Sequence, residues 1–335
     1  MKRVLMALLV VVLVIAMGAP LTLWIGAYAS LDHDFAHSRA TAALDAFDPA
    51  GSPSATPTLS LIEAGSMTFR ARTAGFAGDR GNVILLHGFP ESSAMYVPMI
   101  PVLARAGYRV VAPDQRGYSP GARPDDLDAY TTDKLAADVF AIADVVGFDR
   151  FHLVGHDWGA AVGWLMVFDA SPRIRSWSAL SIPHMGAYAA AIASDPDQRE
   201  RSAYLGFFQL PWLPEALMSF NGFAMMRNLL YAEHGPGNVD EYVAIFSEPG
   251  ALTAALHWYR ASGLATPPPE RPVTIPTAYI WGNQDPAVGD RAVQTQRRYF
   301  DGNLWETELD TGHWLMETEP RAVTDAVLAH IGRHR

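Results

Sequence analysis

The chain has 335 residues, half of them apolar and 11% aromatic, which suffices for one extended core and excludes both intrinsic disorder and a small stapled scaffold. Lys and Arg number 25 against 35 Asp and Glu, a formal charge of −10; with Lys2 and Lys134 the only lysines there is no basic tract to follow phosphates, and nucleic acid is not an expected partner. The absence of cysteine removes disulfides, thiolate catalysis, iron–sulfur clusters and the usual structural zinc sites, and neither a metal nor another cofactor is expected.

After Met1, Lys2 and Arg3 no charged residue occurs before Asp32, and Val4 to Ala29 is almost wholly apolar. A spanning helix needs about 20 apolar residues, whereas the apolar part of a cleaved signal is about 7–15 long. Residues 1–31 are therefore expected to form a retained membrane anchor. The alternative is a protein secreted after cleavage near Ala29, because Ala27 and Ala29 before Ser30 suit a cleavage site and Pro20 shortens the apolar core to Val4–Met17. Lys2 and Arg3 before the segment, with Asp32 and Asp34 after it, put the amino end inside and the rest of a single-pass protein on the extracytoplasmic side. Residues 32–56, which include Pro49 and Pro53 and run up to Pro57, read as a linker or stalk.

Beyond the linker, short apolar runs at Val83–Leu86, Val110–Ala112, Phe151–Val154, Ser178–Ile182, Thr277–Trp281 and Leu304–Leu309 read as strands, most of them buried. After Tyr130, the capping candidates Thr131, Thr132 and Asp133 precede Leu135, Val139, Ile142 and Val146 on one helical face. Pro320 suits a first helical turn, and Val323, Val327 and Ile331 form a stripe that closes the fold. Alternation of strand and helix predicts an α/β protein with a mostly parallel sheet and helices on both faces. The run 183–270 breaks the alternation with Phe, Trp, Met, Tyr and Pro, and is expected to be an inserted helical lid between two core segments, 57–182 and 271–335.

The decisive stretch is Gly155-His156-Asp157-Trp158-Gly159, where a buried strand runs into a helix through Gly-x-Asp-x-Gly. This is the frame of a nucleophile elbow, in which a strained turn exposes the central side chain at the carboxyl edge of the sheet. Here that residue is Asp157; the plain alternative is a turn with a solvated aspartate. Asp285, after Trp281-Gly282-Asn283-Gln284, and His313, in Gly312-His313-Trp314, follow in the order nucleophile, acid, histidine. Singly, Asp285 could cap a helix and His313 could be an ordinary surface histidine; together with Asp157 they make a constellation. His87-Gly88-Phe89-Pro90 adds a Gly turn with a proline that is a candidate for a cis bond. That turn can set the Phe89 N–H beside the Trp158 N–H as an oxyanion hole.

With His87-Gly88-Phe89-Pro90-Glu91, Asp114-Gln115-Arg116-Gly117-Tyr118 and Gly155-His156-Asp157-Trp158-Gly159, the chain from residue 57 onward resembles the epoxide hydrolases of the α/β-hydrolase fold. That resemblance implies two lid tyrosines that hold and protonate the epoxide oxygen. Tyr204 and Tyr259 match them, although either could be a core tyrosine, and Tyr188 lies near the first. The N-terminal apolar segment and stalk depart from many soluble relatives. The implied reaction converts an epoxide and water to a vicinal diol through an ester on Asp157, hydrolysed by water that His313 and Asp285 activate. Phe207, Phe208, Trp212, Met218, Phe220, Met225 and Met226 suit an apolar substrate pocket or simply lid packing. A haloalkane dehalogenase, similar in fold and in its Asp nucleophile, is the alternative activity. Trp158 fits it, but Phe89 stands where that family typically has Asn. A membrane-tethered, non-catalytic binding protein is the other alternative.

Overall fold

Chain segments rich in Val, Ile and Leu with no polar face can only be covered on both sides, and four consecutive residues, Val83 to Leu86, are fully buried. They lie in β3 (Gly81–Leu86), which with β4 (Tyr108–Pro113), β5 (Phe151–His156), β6 (Ile174–Leu180), β7 (Thr277–Gly282) and β8 (Leu304–Leu309) forms a parallel array. Before it, β1 (Thr58–Ala64) and β2 (Met67–Ala74) form an antiparallel hairpin. In the computed structural model, which describes residues 44–169, 171–234, 238–262 and 272–334, the sheet order is β1-β2-β4-β3-β5-β6-β7-β8.

The hairpin carries no clear apolar run in β2, because that strand buries Arg70 and Arg72. Arg70 Nε donates to Asp114 Oδ2 at 2.6 Å, and Asp114 Oδ1 accepts the Ser93 N–H at 2.8 Å. A buried charge survives only when it is paired and hydrogen-bonded. Burial by itself would raise the Asp114 carboxyl, but Arg70, Arg72, His87 and the Ser93 contact outweigh it and hold it at about 2.

Strand β6 also differs from expectation: it runs Ile174–Leu180 instead of Ser178–Ile182. Ser181 turns the chain out of the sheet at φ 66°. Residues 45–54, expected as part of the linker, pack along the sheet: Phe47 N–H donates to Leu61 C=O at 2.7 Å and Ser52 Oγ meets Thr73 Oγ1 at 2.7 Å. The apolar segment 4–29 lies outside the described residues. Among the described residues no helix is long and apolar enough to cross a membrane.

Helices α1 (Ile100–Arg105), α2 (Thr132–Val145) and α3 (Trp158–Phe168) connect the central strands. Between β6 and β7 come α4 (Met185–Ser194), α5 (Pro196–Arg201), α6 (Ala203–Phe208), α7 (Leu213–His234), α8 (Val239–Phe246) and α9 (Ala251–Ala261). Helix α7 is kinked at Phe220–Phe223, where the backbone leaves the helical region. The lid is tied to the core through charge: Arg72 Nη2 donates to both oxygens of Glu241 on α8 at 2.7 Å, and the Tyr242 hydroxyl donates to Glu317. The chain closes with α10 (Asp290–Thr295), α11 (Leu315–Thr318) and α12 (Pro320–Arg333), on which Val323, Val327 and Ile331 are fully buried.

Replacing Asp114 by Asn leaves the Arg70 guanidinium buried beside a neutral group and is expected to lower stability by ~3–5 kcal/mol. Denaturant titration measures it. Because the folded carboxyl is held below its unfolded value, its contribution is present above about pH 4 and fades as pH falls toward about 2; the variant should lack that acid limb.

Candidate active site

Asp157 sits between β5 and α3 at φ 49°, ψ −117°, a conformation that costs a non-glycine residue about 1–3 kcal/mol. Neighbouring glycines make it reachable. A Cβ on Gly159 would lie 2.2 Å from Leu86 C=O, one on Gly155 would lie 2.4 Å from Gly159 C=O, and one on Gly88 would lie 2.4 Å from the Asp157 Cβ. The turn therefore closes tightly against the end of β3, where the Phe89–Pro90 bond is cis. The Phe89 N–H donates to Asp157 Oδ1 at 2.9 Å. The Trp158 N–H is the first amide of α3 and has no acceptor within its own helix.

The loops after β7 and β8 bring in the other two residues. Gly282 lets them meet, since a Cβ there would be 2.2 Å from Thr311 C=O. Asp285 Oδ1 accepts the Ala287 and Val288 N–H groups at 2.7 and 3.0 Å. Its Oδ2 is 2.7 Å from His313 Nδ1, while His313 Nε2 is 3.5 Å from Asp157 Oδ2. All three side chains are buried.

Burial would lower the His313 imidazole, but Asp285 and Asp157 raise it well above its ordinary value. Burial would likewise raise the Asp157 carboxyl; the His313 contact, His156 and the Phe89 N–H reverse that and hold it below its ordinary value. The free site thus stores an ionised Asp157 against a protonated His313.

One cavity of about 330 Å³ joins Asp157 and His313 to Phe89, Pro90, Tyr204, Phe208, Tyr259 and Trp314, and is bordered by Arg201 and by Pro286 and Ala287 of the Asp285 loop. The rings of Tyr204 on α6 and Tyr259 on α9 are 6.3 Å apart. Burial raises both hydroxyls well above the ordinary tyrosine range, helped at Tyr204 by Tyr188, Asp157 and Asp285 and at Tyr259 by Asp157 and Tyr204, so both stay protonated. The Trp158 ring meets the Tyr259 ring edge to face, with centroids 4.9 Å apart. Tyr188 lies outside this lining; its hydroxyl meets Ser202 Oγ at 3.2 Å and Ala287 C=O at 3.4 Å. All of Asp157, Asp285, His313, Tyr204, Tyr259, Phe89 and Trp158, singled out from sequence, come together.

Sequence reasoning assigned no role to the groups that brace His313. Its backbone C=O accepts from Ser181 Oγ at 2.7 Å and is 2.9 Å from His156 Nε2; His156 Nδ1 pairs with Glu91 at 2.8 Å, both side chains fully buried. Glu91 and His156 stand inside the motifs already quoted, so their spacing was legible although their contact was not.

A sequence profile of the alpha/beta hydrolase fold matches residues 81–320. The AB hydrolase superfamily protein YfhM of Bacillus subtilis is 32% identical over 280 residues, which covers 81% of this chain and 96% of that one. Epoxide hydrolase A of Mycobacterium tuberculosis is 30% identical over 320 residues, covering 81% and 96%. Among solved structures, an alpha/beta-hydrolase-superfamily epoxide hydrolase from hot-environment metagenomes superposes with a TM-score of 0.72 at 28% identity, over 82% of this chain and 98% of that one. With an elbow, a hole and an acid–histidine pair in the expected places, the chain belongs to the alpha/beta hydrolase family.

Proposed function

We propose that the protein is an epoxide hydrolase that turns an apolar epoxide into a vicinal diol through an ester on Asp157. The observation that carries this reading is an ionised carboxylate at the elbow sharing an apolar cavity with two protonated tyrosine hydroxyls. An epoxide carbon is saturated, so it must be displaced from behind, and a carboxylate is already a nucleophile without a base. Asp157 Oδ2, which faces His313 and not the Phe89 amide, attacks a ring carbon. The C–O bond breaks, its electron pair goes to the oxygen, and Tyr204 or Tyr259 supplies the proton.

Esterification removes the Asp157 charge. His313 then loses one of the two carboxylates that hold its proton, its affinity for that proton falls, and the proton passes to the tyrosinate left by ring opening, which restores the tyrosine. Neutral His313, oriented by Asp285, takes a proton from water as the water oxygen adds to Asp157 Cγ. The negative charge collects on Oδ1, which the Phe89 N–H already holds, and the Trp158 N–H is the expected second donor. Collapse breaks the Cγ–Oδ2 bond, the His313 proton goes to the departing alkoxide, the water oxygen stays on Asp157, and the proton of the resulting acid passes to His313 to restore the free site.

The dehalogenase alternative needs N–H donors around a halide, and the Trp158 indole that could serve packs edge to face against Tyr259 at 4.9 Å. A role in binding alone leaves the strained Asp157 backbone and its paired His313 and Asp285 without a purpose. We propose further that residues 1–31 anchor the domain with the amino end inside, a reading supported by the apolar run Val4–Ala29 behind Lys2 and Arg3. Lipophilic epoxides concentrated in the bilayer would then be close at hand.

In His313→Gln the ester should accumulate, seen as a mass gain equal to the epoxide on the peptide containing Asp157. Adding Tyr204→Phe and Tyr259→Phe should slow that gain ~10²–10⁴-fold. No adduct in the first variant, or efficient bromide release from a brominated alkane beside an inert epoxide, contradicts the assignment. For the anchor, the intact chain should stay with membranes through alkaline carbonate extraction; a soluble chain beginning at Ser30 would favour secretion.

A further inference from the structure

Three lid side chains bond to the backbone of the loop that carries Asp285: Gln198, Arg201 and, at the longest distance, Tyr188, whose hydroxyl donates to Ala287 C=O at 3.4 Å. Gln198 on α5 is fully buried. Its Nε2 donates to Ala287 C=O at 2.8 Å and to Ser202 Oγ at 3.0 Å, and its Oε1 accepts the Gly289 N–H at 2.8 Å. Arg201, one turn on, donates from Nη1 to Asp285 C=O at 2.8 Å and from Nε to Asp197 at 2.7 Å. Within the same loop the Ala287 and Val288 N–H groups hold Asp285 Oδ1.

The lid therefore grips the loop at Asp285, Ala287 and Gly289, on both sides of the two amides that aim the acid. A buried amide costs about 1–3 kcal/mol if left unpaired, so a glutamine at this position is stable only while the loop keeps its register. The contact continues from Asp285 Oδ2 to His313 Nδ1. Gln198 is outside the cavity lining and touches no reacting atom.

We infer that Gln198, seconded by Arg201, is a positioning residue through which the lid sets the Asp285 carboxylate against His313. The inference rests on the two-step ester reading and deepens it. Asp285 and His313 act when the ester is hydrolysed, whereas Tyr204, on the next lid helix, acts when the ester forms. A lost grip on the loop slows the second step alone; a displaced lid slows the first as well.

Single-turnover kinetics of the full chain, following ester and diol separately, distinguish these cases. In Gln198→Met, which keeps the side-chain length and removes the amide, hydrolysis of the ester should fall ~10-fold or more while its formation stays within about twofold of wild type. Arg201→Met, at a half-exposed position that also borders the cavity, should slow hydrolysis more than formation. Arg199→Ala, on the exposed side of α5, should change neither rate. Unchanged hydrolysis in both loop-facing variants, or equal slowing of both steps, overturns the inference. If Gln198→Met does not fold, Gln198→Glu, which keeps the Oε1 acceptor for the Gly289 N–H and loses the Nε2 donors to Ala287 and Ser202, decides by the same two rates. A wild-type protein that turns over epoxide without any ester overturns the reaction reading itself and takes this inference with it.

Discussion

A single strained residue organises the site. Asp157 holds φ 49° and ψ −117° because β5 and α3 fix it from both sides and because glycines 88, 155 and 159 leave room for backbone where any Cβ would collide. That closeness gives the Phe89 N–H its 2.9 Å contact with the carboxylate. It also leaves the other carboxylate oxygen facing His313. Relaxing the turn would cost the nucleophile its exposure and the oxyanion hole its geometry at once.

Charge does the rest. Two carboxylates share one imidazole, and Asp285 and Asp157 both strengthen the hold of His313 on its proton. Alkylation of Asp157 removes one of them, so formation of the ester itself releases His313 to act as a base. Neither residue needs to move for the site to change from nucleophilic displacement to hydrolysis. The braces on the His313 carbonyl from Ser181 and His156 hold the ring in place through both steps.

Much of this was legible in the sequence. The parallel strands announce themselves as apolar runs, and Leu304–Leu309 matches β8 residue for residue. The hairpin β1–β2 did not, because the inward side chains Arg70 and Arg72 are charged and their partners, Asp114 and Glu241, are far away in the chain. The end of β6 was misplaced because a left-handed Ser181 is a property of tertiary contact, not of residue type. The site residues could be named from motifs, whereas the grip of Gln198 on the Asp285 loop depends on where a lid helix lands, and no local pattern encodes that.

The central claim is that carbon is transferred to Asp157 and released by attack at its carbonyl. A single turnover in water enriched in oxygen-18 tests it directly. The account predicts label in the Asp157 carboxylate and unlabelled diol, since the first diol carries away an oxygen from the protein. Label in the diol with none on Asp157 would mean that water opens the epoxide directly, and the covalent account would be wrong.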